Sequence, residues 1–229
     1  MGFQAIRKEV FTLLREEDPT AALTRIRQLP RSPTIKALYS GICHNDELLH
    51  WRAVSAMGVV VADLAENEME AARIVMRRFM WSLNDESGGI GWGVPEAMAE
   101  CIVMHDAIAA EFGHMPVAYM REDGYFLEYE PLQRGLMWGL GRIAQVRKEL
   151  LLGKKVLTYL PPYLDSPDPA VRGLAALALG RLGAGGVKPR LEALLASQAP
   201  VSYYHAGILA TLTEGELARQ ALACLAAGR

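Results

Sequence analysis

Several common sequence features are scarce in this chain, and each scarcity excludes a class of protein. Its 229 residues include only three cysteines, Cys43, Cys101 and Cys224, which are odd in number and never spaced as Cys-x-x-Cys. This usage excludes a disulfide framework and fits three reduced, mostly buried thiols in a reducing compartment, so we expect a cytoplasmic protein. The first fifteen residues have no apolar core of the kind found in secretory signals, so we expect neither a signal peptide nor an anchor.

The chain also lacks a strong charge of either sign and a long apolar run. Twenty-six acidic residues against 24 basic ones give a formal net charge of −2, so the field of the whole chain does not attract nucleic acid. The longest segment without a formal charge, residues 193–213, is interrupted by proline and polar residues. A spanning helix needs about 20 predominantly apolar residues, so no membrane segment is expected. The hydrophobic share of 51% indicates a globular protein.

Alternation of apolar and polar residues is nearly absent, so we predict no β-strands. The one run of β-branched residues, Val59-Val60-Val61, lies within a helical pattern. Helical periodicity is plentiful by contrast. One stripe of an α-helix is formed by apolar residues at offsets 0, 3, 7, 10, 11 and 14, namely Met69, Ala72, Met76, Phe79, Met80 and Leu83.

A second helix is predicted to begin at Asp168, which would cap it, with Pro169 at the first helical position. Gly183, Gly185 and Gly186 would end it. Its buried stripe consists of Val171, Leu174, Ala175, Ala178, Leu179 and Leu182. Other proline-containing breaks divide the chain into short segments, which predicts short helices joined by short turns.

Two segments repeat one another. Pro131-Leu-Gln-Arg-Gly-Leu returns 38 residues later as Pro169-Ala-Val-Arg-Gly-Leu, and each continues to a Leu-Gly-Arg triplet. Fainter copies lie upstream near Pro95 and over residues 50–58. A helical repeat of about 40 residues is the period of HEAT and armadillo units, which stack because no single helix pair can bury its own apolar face.

Residues 168–183 resemble the HEAT-like repeat that also occurs in phycobilin lyase-type proteins. The resemblance implies an all-α fold, a right-handed superhelical solenoid of about five to six helix pairs, forming a single domain over residues 1–229. It also implies structural roles for repeat residues Arg52, Arg134, Asp168 and Arg172. Because an acid precedes an arginine by four residues at Asp168 and at Glu130, we expect two ion pairs, Asp168 with Arg172 and Glu130 with Arg134, each bridging one helical turn.

The segment over residues 77–96 is the least generic part of the chain, with four glycines among residues 88–93 and two tryptophans, Trp81 and Trp92. Such a loop can present polar groups and indole faces to a partner. We therefore predict a protein-binding site at Trp81, Asn84, Asp85, Glu86, Trp92 and Glu96. The alternative is that the tryptophans fill a groove between repeats and the glycines only allow a tight path. The glycine spacing fails the dinucleotide fingerprint, so no phosphate site is expected.

We expect no metal, no cofactor and no catalytic residue. Deoxyhypusine hydroxylases are HEAT-repeat enzymes that bind iron through repeated His-Glu dyads, but here only His105-Asp106 is similar, with Glu111 and His114 nearby. His44 and His50 flank an acidic turn without completing a ligand set. No Ser, Cys and His fall into a recognised catalytic spacing.

The leading hypothesis is a non-enzymatic scaffold that binds an unknown protein partner. The competing hypothesis is a DNA glycosylase, because alkylpurine glycosylases are also HEAT-like solenoids and use tryptophans with an aspartate. In this chain Arg73, Arg77 and Arg78 would contact phosphate, with Trp81 against the base and Asp85 beside the sugar. The acidic balance of the chain argues against that alternative.

Overall fold

The computed structural model describes residues 2–84 and 91–227. In it, aspartate side chains cap the N-termini of several helices. Asp18 accepts hydrogen bonds from the amides of the first turn of one helix, and Asp46 does so for the next long helix. Asp168 caps a third helix in the predicted way, through the amides of Ala170 and Val171 at 2.9 and 3.0 Å. Each cap satisfies amides that the helix itself leaves unpaired.

The chain divides into two compact units, Met1–Phe112 and Gly113–Arg229. The single domain expected over residues 1–229 stays a prediction. The described part of the first unit is helical throughout. Its helices are α1 (Phe3–Leu13), α2 (Pro19–Ile26), α3 (Arg31–Ile42), α4 (Glu47–Asn67), α5 (Met69–Leu83), α6 (Val94–Met104) and α7 (Asp106–Phe112). Helix α4 packs against both α3 and α6 and forms the centre of this unit.

The second unit combines helices with one small sheet. Its elements are α8 (Met115–Ala118), α9 (Glu130–Gly153), α10 (Val156–Tyr159), a 3-10 helix (Pro161–Asp165), α11 (Pro169–Leu182), a 3-10 helix (Gly185–Val187), α12 (Lys188–Ala193), β1 (Pro200–His205), β2 (Ile208–Thr213) and α13 (Glu214–Ala227). Helix α11 lies between α9 and α13.

Both helices predicted from periodicity are confirmed. Helix α5 buries Ala72, Met76 and Phe79 of its predicted stripe. Helix α11 buries all six predicted residues and ends at Gly183, which adopts a positive φ of 76°. Such a backbone conformation is accessible to glycine without steric cost.

Glycines set the spacing between neighbouring helices. A Cβ added to Gly58 of α4 would lie 2.6 Å from the Cβ of Glu100 on α6. A Cβ added to Gly180 of α11 would lie 2.4 Å from the Cα of Ala221 on α13. These helices therefore approach more closely than any larger residue would permit.

The prediction that the chain contains no strands is wrong. Strands β1 and β2 pair antiparallel, with His205 opposite Ile208, so that Ala206 and Gly207 form a two-residue turn. Both turn residues have positive φ, 50° and 85°, as a type I′ hairpin requires. The indole N–H of Trp138 on α9 donates to the carbonyl of Tyr204 at 2.9 Å and ties the hairpin to the helices.

The predicted ion pairs along one helical turn are also wrong, because these side chains pair between helices. Arg134 on α9 donates from Nε to Asp168 at the start of α11 at 2.9 Å. Arg172 on α11 binds the fully buried Glu214 of α13 through two contacts of 2.6 and 2.9 Å. The repeated Arg therefore joins each repeat to the next one along the chain.

Arg52, the remaining predicted repeat residue, also connects two helices, but it binds backbone carbonyls and not a carboxylate side chain. Its Nη1 donates to the backbone carbonyls of Leu14 and Glu16 at 3.0 and 2.6 Å, just beyond the end of α1. These carbonyls would otherwise lack a partner at the C-terminus of that helix. The contact places α4 against α1.

Helix α4 is long and apolar enough, by length and composition alone, to cross a membrane. Its most apolar stretch is 61% buried inside the protein. The residues that it buries include Val54, Met57 and Val61. The same composition is typical of the core helix of a globular protein, which is the role of α4 in this unit.

Candidate functional site

Trp81 lies in the last turn of α5, on the side opposite the buried stripe of that helix. The indole is 66% exposed, although Phe79, two residues earlier, is fully buried. The helix ends at Leu83, and the amide of the exposed Asn84 donates to the carbonyl of Trp81 at 3.1 Å. Trp81 and Asn84 thus reach solvent from the end of a packed helix.

Trp92 lies on the far side of the glycine-rich segment, in the turn that leads into α6. Its side chain is 40% exposed. Its carbonyl accepts a hydrogen bond from the thiol of Cys43 at 3.6 Å, which fixes the turn to the end of α3. Asp85 and Glu86, the other predicted acidic members of the site, lie outside the described residues.

Gly93, which begins α6, can only be glycine. Its φ is 71°, and an added Cβ would lie 2.3 Å from the carbonyl oxygen of Ile42. That carbonyl also accepts from the Nδ1 of His50 at 2.6 Å. Burial lowers the pKa of His50, so the neutral ring donates this hydrogen bond. The turn that carries Trp92 is therefore held against α3 and α4.

Glu96 does not belong to the exposed surface on which it was predicted. It is only 8% exposed, and burial raises its pKa to about 7. Its Oε2 is buried without a hydrogen-bond partner among the residues that the structure describes. Glu100, one turn further along α6, is buried as well. The apolar run that surrounds these two glutamates in the sequence was the signal for their burial.

The three arginines of the glycosylase hypothesis are each engaged. Arg73 donates to Glu111 at 2.8 Å, and both Arg73 and Arg77 bind Glu70. Arg78 instead stacks on Tyr39, with its guanidinium carbon 4.2 Å from the ring centroid. Pairing with carboxylates removes most of the attraction that the first two arginines would exert on phosphate.

The histidines considered as metal ligands make structural contacts. His105 accepts at Nδ1 from the amide of Ile108 in the first turn of α7, and its Nε2 lies 3.5 Å from Glu66. His44 accepts from the amide of Asp46 at 2.9 Å. Over residues 2–84 and 91–227, no group of three or more His, Cys, Asp and Glu side chains is placed to hold a metal ion.

Solved structures with a similar fold include designed armadillo repeat proteins. An engineered protein aligns over 100% of this chain and 98% of its own, with 19% identity and a TM-score of 0.54. A designed armadillo repeat protein aligns over 96% and 99% with 18% identity and a TM-score of 0.50. Another designed armadillo repeat protein, solved in complex with the peptide (KR)4, aligns over 96% and 99% with 17% identity and a TM-score of 0.51.

No protein-family model and no curated protein sequence matches the chain. The structural similarity lies below 20% identity in these three comparisons, so it concerns the fold alone. The predicted all-α helical-repeat fold is thereby confirmed. The small hairpin of β1 and β2 is a local addition to that fold.

Proposed function

We propose that this protein is a non-enzymatic binding module, and that a partner protein docks on the surface formed by Trp81, Asn84 and Trp92, here called the indole surface. The observation that carries the proposal is the 66% exposure of Trp81 on a helix whose opposite side is well packed. Burying an exposed tryptophan against a partner removes apolar surface from water and so favours binding. Tryptophan is also among the residues enriched at binding hot spots.

Preorganisation supports the same proposal. Trp81 belongs to a helix, and the turn of Trp92 is fixed by the thiol of Cys43 and by the close packing of Gly93. Side chains on a fixed backbone lose less conformational freedom on association than side chains on a flexible loop. The indole surface can therefore contribute affinity with little ordering cost.

The comparisons support a protein ligand in general terms. One structural neighbour, a designed armadillo repeat protein, was solved with the peptide (KR)4. Stacked helical repeats provide an extended surface that suits such ligands. The proposal for this chain rests on its own exposed indoles, because the likeness to that neighbour concerns the fold.

The test begins with quantitative affinity purification from the native cell, using the wild-type chain and the Trp81→Ala variant. A protein enriched by the wild type is then purified, and its Kd is measured for both. We expect Trp81→Ala to weaken binding by about 30-fold, the loss typical of a hot-spot residue of about 2 kcal/mol. Phe3→Ala is the matched control, because Phe3 is an exposed aromatic residue of α1 that belongs to neither proposed site.

Two outcomes would contradict the assignment. The first is an unchanged Kd for Trp81→Ala with the fold intact by circular dichroism. The second is an equal loss of affinity in the Phe3→Ala control. Either result would move the binding site away from the indole surface.

The glycosylase hypothesis has a separate test. Because Arg73 and Arg77 are paired with carboxylates, we expect no retardation of duplex DNA by micromolar protein in a low-salt gel shift. Retardation that weakens as salt is added would contradict this expectation, since release of counterions is the signature of phosphate contacts.

We also propose a cytoplasmic location. Cys43, Cys101 and Cys224 are free thiols, and only Cys101 is buried, so the expectation of mostly buried thiols is wrong. Burial raises the pKa of Cys101, and partial desolvation raises that of the exposed Cys43. A protonated thiol is a poor nucleophile, which suits a chain kept in a reducing compartment. Fractionation of the native cell tests this location, and recovery with the periplasmic or secreted fraction would contradict it.

A further inference from the structure

A cleft of about 630 Å³ opens in the second unit, far along the chain from the indole surface. Its walls come from the segment that precedes α9, from the first turn of α9, and from α10 with the 3-10 helix and the two residues that follow it. The volume falls within the range of about 300 to 1,000 Å³ that is usual for ligand pockets.

Acidic groups dominate the polar lining of this cleft. Glu122, Asp123, Glu130 and Asp165 line it, and the described residues of the lining include no lysine or arginine. Asp123 is bound by Arg121, with contacts of 3.0 and 2.8 Å. Asp165 is paired with Arg190 at 2.8 Å. The remaining two carboxylates, those of Glu122 and Glu130, have no arginine or lysine bound to them in this way.

Glu122 and Glu130 form no ion pair with any side chain in the described part of the chain. Glu130 lies in the first turn of α9, where a negative charge favours the helix. Glu122 has no comparable local role, because it belongs to an exposed turn. Two carboxylates without an ion pair therefore line one cleft, and their potential favours a cation. Glu130 also interacts electrostatically with Arg134 of the same helix, so Glu122 is the less compensated of the two.

Aromatic side chains supply the apolar part of the wall. Phe126, Tyr159 and Tyr163 line the cleft, and the first two are half-buried. The guanidinium of Arg121 lies 5.6 Å from the ring centroid of Tyr159. The protein thus already places one cation against an aromatic ring beside this cleft, the geometry of a cation–π contact.

Tyr163 provides an independent sign of a ligand. It is 8% exposed, and its hydroxyl is buried without a hydrogen-bond partner among the described residues. Buried polar groups of folded proteins are almost always hydrogen-bonded, and an unpaired one costs about 1 to 3 kcal/mol. Burial, followed by the charge of Glu122, raises its pKa to about 12. The neutral hydroxyl can accept a hydrogen bond from a cationic donor.

We propose that this acidic cleft binds an arginine or lysine side chain presented by an extended segment of a protein partner. The carboxylates of Glu122 and Glu130 would receive the charged head, and the aromatic rings would cover its apolar stem. A guanidinium or ammonium group would also donate to the hydroxyl of Tyr163. The inference goes beyond the proposed function, because it assigns a second site with a stated chemistry to the other unit.

Other cations fit the cleft less well. A divalent metal ion needs several oxygen ligands at one point, and the described residues include no cluster of that kind. The aromatic walls suit an organic cation, which combines charge with an apolar stem. Nucleic acids and anionic membranes carry the wrong sign of charge for this surface.

The first test measures binding of a fluorescein-labelled peptide of alternating glycine and arginine to the full chain. Its control peptide carries citrulline in place of arginine, which keeps the shape and removes the charge. We expect saturable binding of the arginine peptide, with the citrulline peptide weaker by at least about tenfold. Equal binding of the two peptides would overturn the proposal, as would displacement of the arginine peptide by spermidine at equal affinity.

Matched charge variants locate the site. We expect the double variant Glu122→Gln with Glu130→Gln to raise the Kd of the arginine peptide about tenfold, which corresponds to about 1.4 kcal/mol of binding free energy. Glu149→Gln with Glu192→Gln removes the same charge from exposed positions of the same unit that do not line the cleft. We expect the Kd of this control variant for the arginine peptide to stay within about twofold of the wild-type value. Equal losses in the two pairs would mean diffuse attraction and would overturn the proposal.

A positional readout avoids any change to the protein. A benzophenone next to the arginine of the peptide is expected to cross-link within residues 120–133 or 158–167, the two segments that line the cleft. Cross-links confined to other segments would overturn the proposal. Because these experiments leave Trp81 and Trp92 untouched, failure here is distinguishable from failure of the indole surface.

Discussion

Glu96 makes the stability of this protein depend on pH in a direction opposite to that of most carboxylates. Burial raises its pKa from 4.5 to about 7, so between these values the folded state binds a proton that the unfolded state has released. The free energy of unfolding therefore falls as pH rises through this window and stays low above it. A shift of that size corresponds to about 3 kcal/mol.

The substitution Glu96→Gln removes the ionisation and keeps nearly the same shape. We expect the variant and the wild type to have similar free energies of unfolding near pH 5, where Glu96 is largely neutral in the folded state. At pH 8 the variant should be more stable by about 2 to 3 kcal/mol, because the wild type must then either bury a charge or take up a proton from solvent on folding.

Urea unfolding followed by circular dichroism at four pH values from about 5 to 8 measures this difference. Glu17→Gln is the matched control, since Glu17 is an exposed glutamate of the same unit. The control should follow the pH profile of the wild type. A constant difference between Glu96→Gln and the wild type across the whole range would refute the reasoning, because it would mean that Glu96 does not gain a proton on folding.

Two further predictions concern the junctions between helices of the second unit. Gly180→Ala should lower the free energy of unfolding by about 1 to 3 kcal/mol in urea titrations, because its Cβ would lie 2.4 Å from the backbone of α13. Gly186→Ala, with no atom within 4 Å of its Cβ, should change it little, and equal effects would contradict the packing argument. Arg172→Met should cost about 3 kcal/mol or more, since it leaves the buried Glu214 without its ion-pair partner. Arg134→Met should cost about 1 kcal/mol, because half of that side chain is exposed, and the reverse order would contradict the burial argument.

The helices were predictable because their signals are local. The cap formed by Asp168 and the stop at Gly183 depend on residues within one turn of the helix, and both appear as predicted. The ion pairs were not predictable in the same way. Arg134 and Asp168 are 34 residues apart and Arg172 and Glu214 are 42 apart, so spacing along one helix pointed to the wrong partners.

The hairpin was missed because apolar and polar residues alternate only weakly in its sequence. β1 begins at a proline, and its tight turn is formed by Ala206 and Gly207 without the usual asparagine or aspartate. Trp81 and Trp92 are exposed, and the binding site predicted at these residues stays a prediction. Glu96 was misplaced because it was treated as the end of a loop, whereas it lies in the first turn of a buried helix.

The acidic cleft could not be found from the sequence, because its walls come from two segments separated by the length of α9. Neither segment contains a motif by itself. Tyr163 is an ordinary aromatic residue in the sequence, and only the fold shows that its hydroxyl lacks a partner among the described residues. Sites assembled from distant segments require the tertiary structure.

The glycines between helices have a consequence for any attempt to rebuild this protein from interchangeable parts. Each close contact between helices fits one particular neighbour. Gly58 of α4 faces the stem of Glu100, whereas Gly180 of α11 faces the backbone at Ala221. A helix transplanted from one junction to the other would meet either a collision or a void. Consensus engineering of this scaffold should therefore exchange adjoining helices as a set, so that every glycine keeps the surface it was fitted to.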